Sequence, residues 1–276
     1  MFGVPQNWRL ESNGTLTHMY ATDEFKAAIA YIRKLYAAGI FYPDTFSEMS
    51  TQAKNNFIAG KYGGYRDGFA ALIAERLGVM KTDPTAKVGL LIPFAAQGGK
   101  PVSWLASGNF GIAAIPSGIG SDRMKELLRI MDYLCAPRFS IEGSFLANGI
   151  DGWDNSVVNG TKTPNATGQK EIEDLAYIGN GVPVLYTPLD PQFALTEQGY
   201  VRQLVAMGIT DPTVSLYSPT STKQATVLTQ LFNDRFLRIV QGTNAVSTVG
   251  GFLTDFMNNG GSQILKEYEQ QLQKSA

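Results

Sequence analysis

The stretch AGKYGGYRDGF, residues Ala59–Phe69, carries much of what the sequence says about fold and binding. Gly60 suits the left-handed position that closes a helix, so we predict that a short amphipathic helix ends just before it. Tyr62–Arg66 has the aromatic content and the length of a strand. The dipeptide Asp67-Gly68 would end that strand in a turn. The stretch therefore predicts a helix, a strand and a turn in close succession.

Four side chains at the end of this stretch are candidate ligand contacts: Tyr65, Arg66, Asp67 and Phe69. Aromatic rings cover the apolar faces of sugars, while a carboxylate and a guanidinium pair with hydroxyl groups. The combination indicates a site for a hydroxyl-rich ligand. The alternative, which composition alone favours, is a strand and turn with ordinary half-buried tyrosines.

The composition is that of a globular protein. The chain has 276 residues, 44% of them hydrophobic and 17% charged, with a formal net charge of −1 and a pI of about 5.9. This length suits about two domains. No cluster of lysine and arginine forms the basic stripe that binds nucleic acid. No apolar run reaches the ~18 residues of a membrane span.

Motifs for nucleophilic or metal chemistry are sparse. The only histidine, His18, lies in a predicted hairpin, where such a residue is usually at the surface or in packing, so a Ser-His-Asp triad has no clear base. Because Cys135 is the only cysteine, an internal disulfide is impossible. Its side chain is predicted to be buried in the core. No nucleophile elbow and no phosphate-binding loop is present.

Carboxylates leave two alternatives open. Asp67, Asp151, Asp154 and Glu171 could supply the acid and base of a glycoside hydrolase, although nothing in their spacing selects a pair. Asp151, Asp154 and Asn155 could instead give oxygen ligands to calcium, although the twelve-residue calcium-loop pattern is absent.

Hydrophobic periodicity predicts a chain rich in helices with short strands. Asn13-Gly14 predicts a hairpin over residues 8–20 with a type I′ turn. Thr22 is the expected N-cap of a first long helix that Gly39 closes. Further helices are predicted over residues 50–58, 70–79, 122–136, 196–207, 247–257 and 262–274, with one from Ser218 to Gly242, and further strands over residues 87–94 and 110–115.

Segments spread over nearly the whole chain share the pattern of one protein family. They are NWRL (7–10) with NGTLTH (13–18), TDEFKAAIAYIRKLYAAGIFYPDTF (22–46), FIAGKYGGY (57–65), IPSGIGSDRMKELLRIMDYLCAP (115–137), NGIDGWD (148–154), IVQGTNAVST (239–248) and NNGGSQILKEYEQ (258–270). Together they resemble the extracellular solute-binding proteins (family 1) of bacterial ABC importers, in the branch of long lipoproteins that bind oligosaccharides. Residues 138–143 depart from the family, which usually has a more acidic and aromatic stretch there.

The resemblance implies an α/β fold of the type II periplasmic-binding-protein class, with two lobes, a hinge and a helix-rich second lobe. On that basis residues 1–86 belong to the second lobe, 87–92 form a crossing strand at the hinge, and 93–149 return to the first lobe. Residues 150–276 complete the second lobe. Such proteins close about their ligand by hinge bending.

The resemblance also implies a binding site without catalytic or metal-ligating residues and without a cofactor. The matching positions are Tyr65, Arg66, Asp67, Phe69, Trp104, Trp153, Tyr217 and Ser218. The two tryptophans are the best stacking candidates, with core packing as the alternative for each. Trp8, which precedes the predicted hairpin, is expected to be structural.

The family comparison finally gives expectations for the whole protein. Members carry a signal sequence, a lipidated cysteine and most of a first lobe before the position of Trp8. We therefore expect a C-terminal portion with an incomplete first lobe, from a monomeric extracellular lipoprotein or periplasmic protein. The expected function is capture of a sugar or oligosaccharide for ABC permease subunits in the membrane, with a carbohydrate-active enzyme or a structural cell-surface domain as alternatives.

Overall fold

The fold is described from a computed structural model, which covers residues 1–96, 98–106, 108, 112–137, 140–158, 160–172 and 190–275. The chain divides into two compact units. The first unit comprises Met1–Arg66, Ala74–Ser107 and Tyr200–Ala276. The second unit comprises Asp67–Ile73 and Gly108–Gly199. The lobe boundaries expected from the family resemblance stay a prediction.

Helices dominate the described chain. They are α1 (Asp23–Ala37), α2 (Ser50–Ile58), α3 (Leu72–Thr82), α4 (Ser121–Leu134), α5 (Ile141–Asn148), α6 (Gly168–Glu171), α7 (Pro191–Ala206), α8 (Pro219–Gln241), α9 (Gly251–Phe256) and α10 (Ser262–Ser275). Short 3-10 helices occupy Met19–Ala21, Phe69–Ala71 and Val246–Gly250, and a π-helical turn with a kink at Gly260 joins α9 to α10.

The strands are short and pair in twos. They are β1 (Trp8–Leu10), β2 (Leu16–His18), β3 (Ser103–Trp104), β4 (Asn155–Val158), β5 (Thr161–Pro164) and β6 (Gly208–Ile209). The pairs β1–β2 and β4–β5 are antiparallel, while β3 and β6 run parallel with Trp104 opposite Ile209. The predicted hairpin over residues 8–20 is therefore confirmed.

Its predicted type I′ turn is wrong. That turn needs two adjacent residues of positive φ, whereas in this loop only Gly14 has one (83°). The loop instead runs over Glu11–Thr15, which the Glu11 amide closes by donating to the Thr15 carbonyl. The Asn13 side chain, accepting from the amide and hydroxyl of Thr15, stabilises the longer loop.

Helix ends follow the capping signals of the sequence. The Thr22 hydroxyl accepts from the Phe25 amide at the start of α1, and Gly39 (φ 69°) follows the end of that helix. Gly60 (φ 74°) does the same for α2. Helix α8 begins after Ser218 and ends at Gly242 in the left-handed conformation. These predictions are confirmed because each rests on local backbone chemistry.

The core of the first unit lies between α1 and the C-terminal helices. Phe25 and Ile29 of α1 pack against Ile239 of α8 and Phe252 of α9. A second cluster joins the hairpin to the last helix, with Trp8 and Leu16 against Ile264. Trp8 is 4% exposed, which confirms its structural role.

Four further sequence predictions are wrong in the described chain. Residues 62–66, 87–94 and 112–115 form no strand. The last of the three predicted strands runs over 110–115, and its first two residues lie outside the described residues. Leu91 and Ile112 are 81% and 88% exposed, so these apolar runs do not cross a core. Cys135 is exposed rather than buried.

In the described chain no helix combines the length and the apolar character that crossing a membrane requires.

Candidate functional site

The stretch Ala59–Phe69 forms a short irregular connection between α2 and α3. The Tyr65 ring lies against the Phe57 ring, with centroids 5.7 Å apart and planes 29° from parallel. Arg66 and Asp67 are exposed, and the Asp67 Oδ1 accepts a hydrogen bond from the Gly68 amide at 2.6 Å. Phe69 is half-buried and starts a 3-10 helix. The predicted polar pair is therefore available to solvent.

Trp104 is an exposed ring on a fixed support in the first unit. It is 49% exposed, although tryptophan is strongly buried on average. Its indole Nε1 donates to the Val4 carbonyl at 3.0 Å, and its backbone belongs to β3, paired with β6. The hydrogen bond and the strand pairing hold the indole at the surface.

Tyr217 has the same character at the N-terminal end of α8. It is 64% exposed, and the side-chain amide of Gln271 in α10 binds its main chain from both sides. The Tyr217 amide donates to Gln271 Oε1 at 3.1 Å, and Gln271 Nε2 donates to the Tyr217 carbonyl at 2.6 Å. The last helix thereby positions an exposed ring.

Ser218 is buried, and its hydroxyl is used inside the protein. It accepts from the Ser221 amide as the N-cap of α8 and donates to the Glu267 carboxylate of α10. Hydrogen bonds from Ser218 and Thr220 lower the pKa of Glu267 to about 2. Ser218 thus joins two helices directly beside Tyr217.

Trp153 is the exposed ring of the second unit. It is 62% exposed in the NGIDGWD turn, and its indole Nε1 donates to Glu171 at 3.2 Å. Asn165 donates to the Trp153 carbonyl at 2.9 Å. The buried Asp154 accepts from the Ile150 amide at 2.8 Å and so closes the turn beneath the ring.

The carboxylates around Trp153 serve this turn. Asp151 accepts from Lys162 at 2.6 Å and from Asn155 at 3.1 Å, and these bonds lower its pKa. Glu171 accepts a hydrogen bond from the Trp153 indole, and Asp154 accepts one from the main-chain amide of Ile150. Within the described ranges, no group of three or more His, Cys, Asp or Glu side chains is arranged to hold a metal ion.

The first unit also contains a cavity of about 350 Å³ that the sequence did not indicate. Buried or half-buried aromatic side chains form much of its wall, and Asn7, Asp211 and Thr213 contribute polar groups. Its aromatic lining consists of Trp8, His18, Tyr20, Phe232, Phe256 and Tyr268. No sequence pattern links the hairpin to α8 and α10, so the cavity could not be predicted.

Three of the predicted contact residues are therefore exposed rings on residues fixed by hydrogen bonds, through the indole Nε1 or through the main chain: Trp104, Trp153 and Tyr217. Tyr217 and Ser218 are held together by α10. Trp104 lies on a different element of the same unit, and Trp153 belongs to the second unit. A common binding site for these residues stays a prediction.

Comparison with curated proteins gives two relatives from Bacillus subtilis. The polygalacturonan/rhamnogalacturonan-binding protein YtcQ is 25% identical over 281 residues, which cover 97% of this chain and 54% of the relative. Lipoprotein LipO is 22% identical over 286 residues, 99% of this chain and 56% of the relative. The chain thus spans about half the length of these relatives. No family model matches.

The alginate-binding protein AlgQ2 gives a solved structure of the same fold. Its TM-score to this chain is 0.57 at 17% identity, over 96% of this chain and 57% of that one. The predicted α/β fold of the type II periplasmic-binding-protein class is confirmed, while its two lobes and hinge stay a prediction. The relatives confirm the resemblance to solute-binding proteins, and those with a stated activity are binding proteins.

Proposed function

We propose that this chain is part of a solute-binding protein that captures an oligosaccharide for an ABC importer. The observation that supports it best is the set of exposed rings Trp104, Trp153 and Tyr217. The two indoles are held by hydrogen bonds from Nε1, and Tyr217 is held by hydrogen bonds to its main chain. Such rings offer flat apolar surfaces at low entropic cost, which suits the faces of sugar rings. YtcQ and AlgQ2, whose names state that they bind polysaccharides, support the same ligand class.

In this proposal the exposed rings stack on the sugar, and polar side chains bind its hydroxyl groups. Arg66 and Asp67 supply hydrogen bonds, with Tyr65 and Phe69 beside them. Ser218 contributes by holding the Tyr217 segment, because its hydroxyl already has two partners. The two lobes implied by the family resemblance would close around the ligand and exclude water.

The whole protein would act outside the cell as a monomer, anchored as a lipoprotein or held in the periplasm, and deliver its ligand to permease subunits. LipO is a lipoprotein, which supports this location. We also propose that the protein catalyses no reaction. The structural use of Asp151, Asp154 and Glu171 in the Trp153 turn supports this over a glycoside hydrolase.

Calorimetric titration with oligosaccharides tests the proposal. Oligosaccharides of polygalacturonan, rhamnogalacturonan and alginate should bind without product formation. Replacing Trp104 or Trp153 with alanine should weaken binding by roughly tenfold, since an aromatic contact is worth about 0.5–1.5 kcal/mol beyond its buried area and about 1.4 kcal/mol corresponds to a factor of ten. Tyr133→Ala, which removes a 44% exposed ring from α4, is the matched control and should leave binding unchanged.

Two results would reject the proposal. Release of shorter sugars during incubation would favour the enzyme, and equal binding by Trp104→Ala, Trp153→Ala and the parent chain would remove the exposed rings from the site. A rise in melting temperature on adding oligosaccharide, with no turnover, is the expected companion result.

A further inference from the structure

The cavity of the first unit has the size of a small-ligand site. Its volume is about 350 Å³, whereas an apolar cavity of roughly 150 Å³ already holds benzene. It therefore has room for a compact molecule with several substituents. The exposed rings of the proposed sugar site, Trp104, Trp153 and Tyr217, do not line it.

The walls of the cavity are aromatic rings, of which some pairs are stacked and others meet at steep angles. His18 stacks on Phe256 and Tyr20 on Phe232, with 17° and 14° between the ring planes. Trp8 meets Tyr268 at 86° with centroids 6.0 Å apart, and Tyr20 meets Phe256 at 88° and 5.9 Å. The faces and edges of these rings are thus turned in several directions. Ring faces carry partial negative charge and attract cations.

The charge of the residues that line the cavity is negative. Asp211 is its carboxylate, and none of the described residues that line it is a lysine or an arginine. Asp211 accepts from Asn7 at 2.9 Å and from the amide and hydroxyl of Thr213 at 2.8 and 2.7 Å. A carboxylate has about four acceptor positions, so one is still open to a ligand.

His18 adds a neutral hydrogen-bond donor. Burial lowers its pKa to about 3, so the ring is uncharged near neutral pH and does not repel a cation. Its Nδ1 accepts from the Tyr20 amide at 3.4 Å, which places the proton on Nε2. Within the part of the chain that the structure describes, Nε2 has no acceptor. A ligand oxygen in the cavity could accept from it.

We propose that this cavity binds a small organic cation, an amine or quaternary ammonium compound that also carries a hydroxyl or carbonyl oxygen. The ring faces and Asp211 attract the positive centre. The oxygen accepts from His18 Nε2. An anionic ligand is disfavoured because Asp211 would repel it and no lining cation among the described residues would compensate.

Choline and its uncharged isostere 3,3-dimethylbutan-1-ol are the probes. They have nearly the same shape and share the hydroxyl, so a difference between them reports the charge alone. Isothermal titration calorimetry of the full chain should show choline binding, with the isostere weaker by roughly tenfold or more. Galactose serves as a neutral sugar probe and should not bind at this site.

Two variants place the ligand in the cavity. Asp211→Asn removes the charge and should weaken choline binding by roughly tenfold, whereas Asp234→Asn, on an exposed position of α8, should leave it unchanged. If Asp211→Asn folds poorly, Tyr268→Leu keeps an apolar side chain but removes a ring face. It should weaken choline binding and spare the isostere.

Failure of choline to bind at millimolar concentration would overturn the proposal. So would equal binding of the isostere, or unchanged choline affinity in both Asp211→Asn and Tyr268→Leu. The proposal does not depend on the oligosaccharide site, because the Trp104→Ala and Trp153→Ala variants should bind choline normally.

Discussion

At the scale of the residue, His18 has the most unusual surroundings. Its ring stacks on Phe256 with centroids 4.0 Å apart and meets Trp8 and Tyr20 edge to face. These rings remove water from the imidazole, and the loss of solvation lowers its pKa to about 3. The folded protein therefore keeps His18 neutral at pH values where the unfolded chain protonates it.

We predict that folding stability falls as the pH falls below 6.5. In that range the unfolded chain binds a proton at His18 and the folded chain does not, which costs about 1.4 kcal/mol per pH unit. The loss continues down to the folded pKa of about 3. Because this is the only histidine, urea unfolding between pH 6.5 and 5 isolates its contribution.

His18→Gln is the matched variant for this measurement. Its free energy of unfolding should be nearly flat between pH 6.5 and 5, whatever its value at pH 7. An equal slope in the parent and variant chains would show that His18 is not the responsible group.

Single residues could be predicted from the sequence where local chemistry decides. The Thr22 cap and the glycine at position 242 follow from backbone hydrogen bonding. The exposed state of Trp104 and Trp153 could not be derived, since a tryptophan in a short sequence pattern is equally suited to a core. The cavity around His18 depends on contacts between residues more than 200 positions apart, which a local pattern does not contain.

At the scale of the element, the turn that carries Trp153 shows how glycines determine a surface. Gly149 and Gly152 both have positive φ values, 69° and 79°. A Cβ at Gly149 would overlap the Asp154 side chain, whereas a Cβ at Gly152 would meet no atom within 4 Å. The two positions share the backbone strain but differ in packing.

Alanine at these two positions should therefore have different effects. Gly152→Ala should cost about 1 kcal/mol through its backbone conformation alone. Gly149→Ala should cost about 2–4 kcal/mol, because displacing Asp154 adds the cost of overpacking. Hydrogen exchange at the Trp153 and Asp154 amides, which both donate to the Ile150 carbonyl, measures the local opening. Equal exchange rates in the two variants would contradict the role given to Asp154.

The sequence predicted helices better than strands. Helix α2 begins and ends at the predicted residues, since capping and period act within a few positions. Residues 62–66 and 87–94 have strand-like composition but no strand pairing in the described chain. Strand formation requires a distant partner, as β3 shows by pairing with β6 about 100 residues later.

At the scale of the whole molecule, the second unit has many exposed apolar side chains. Ile112 and Ile141 are each 88% exposed. The others, between 44% and 67% exposed, are Leu128, Ile130, Tyr133, Phe145, Ile150, Trp153, Val157, Val158 and Leu195. Helix α4 thus exposes Leu128, Ile130 and Tyr133. Exposure on this scale promotes association with other apolar surfaces.

We predict that the chain binds the apolar dye ANS and associates at high concentration. The double variant Ile112→Ser/Ile141→Ser should lower ANS fluorescence and delay association, because it removes the two most exposed isoleucines of the second unit. Ile40→Ser, at a 68% exposed position of the first unit, is the control and should have a smaller effect. Light scattering gives the second readout, and a dye-free monomer at all concentrations would contradict the prediction.

The two hydrogen bonds between the Gln271 side chain and the Tyr217 main chain limit which residues can replace Gln271. The Gln271 side-chain amide donates and accepts as a peptide group does, and it pairs with both the carbonyl and the amide of Tyr217, 54 positions earlier. Glutamate at position 271 would lose the donor and lysine would lose the acceptor, so mutational drift at this helix position is confined to a few amide-bearing choices. A substitution at position 271 could in this way displace the exposed Tyr217 ring without changing Tyr217 itself.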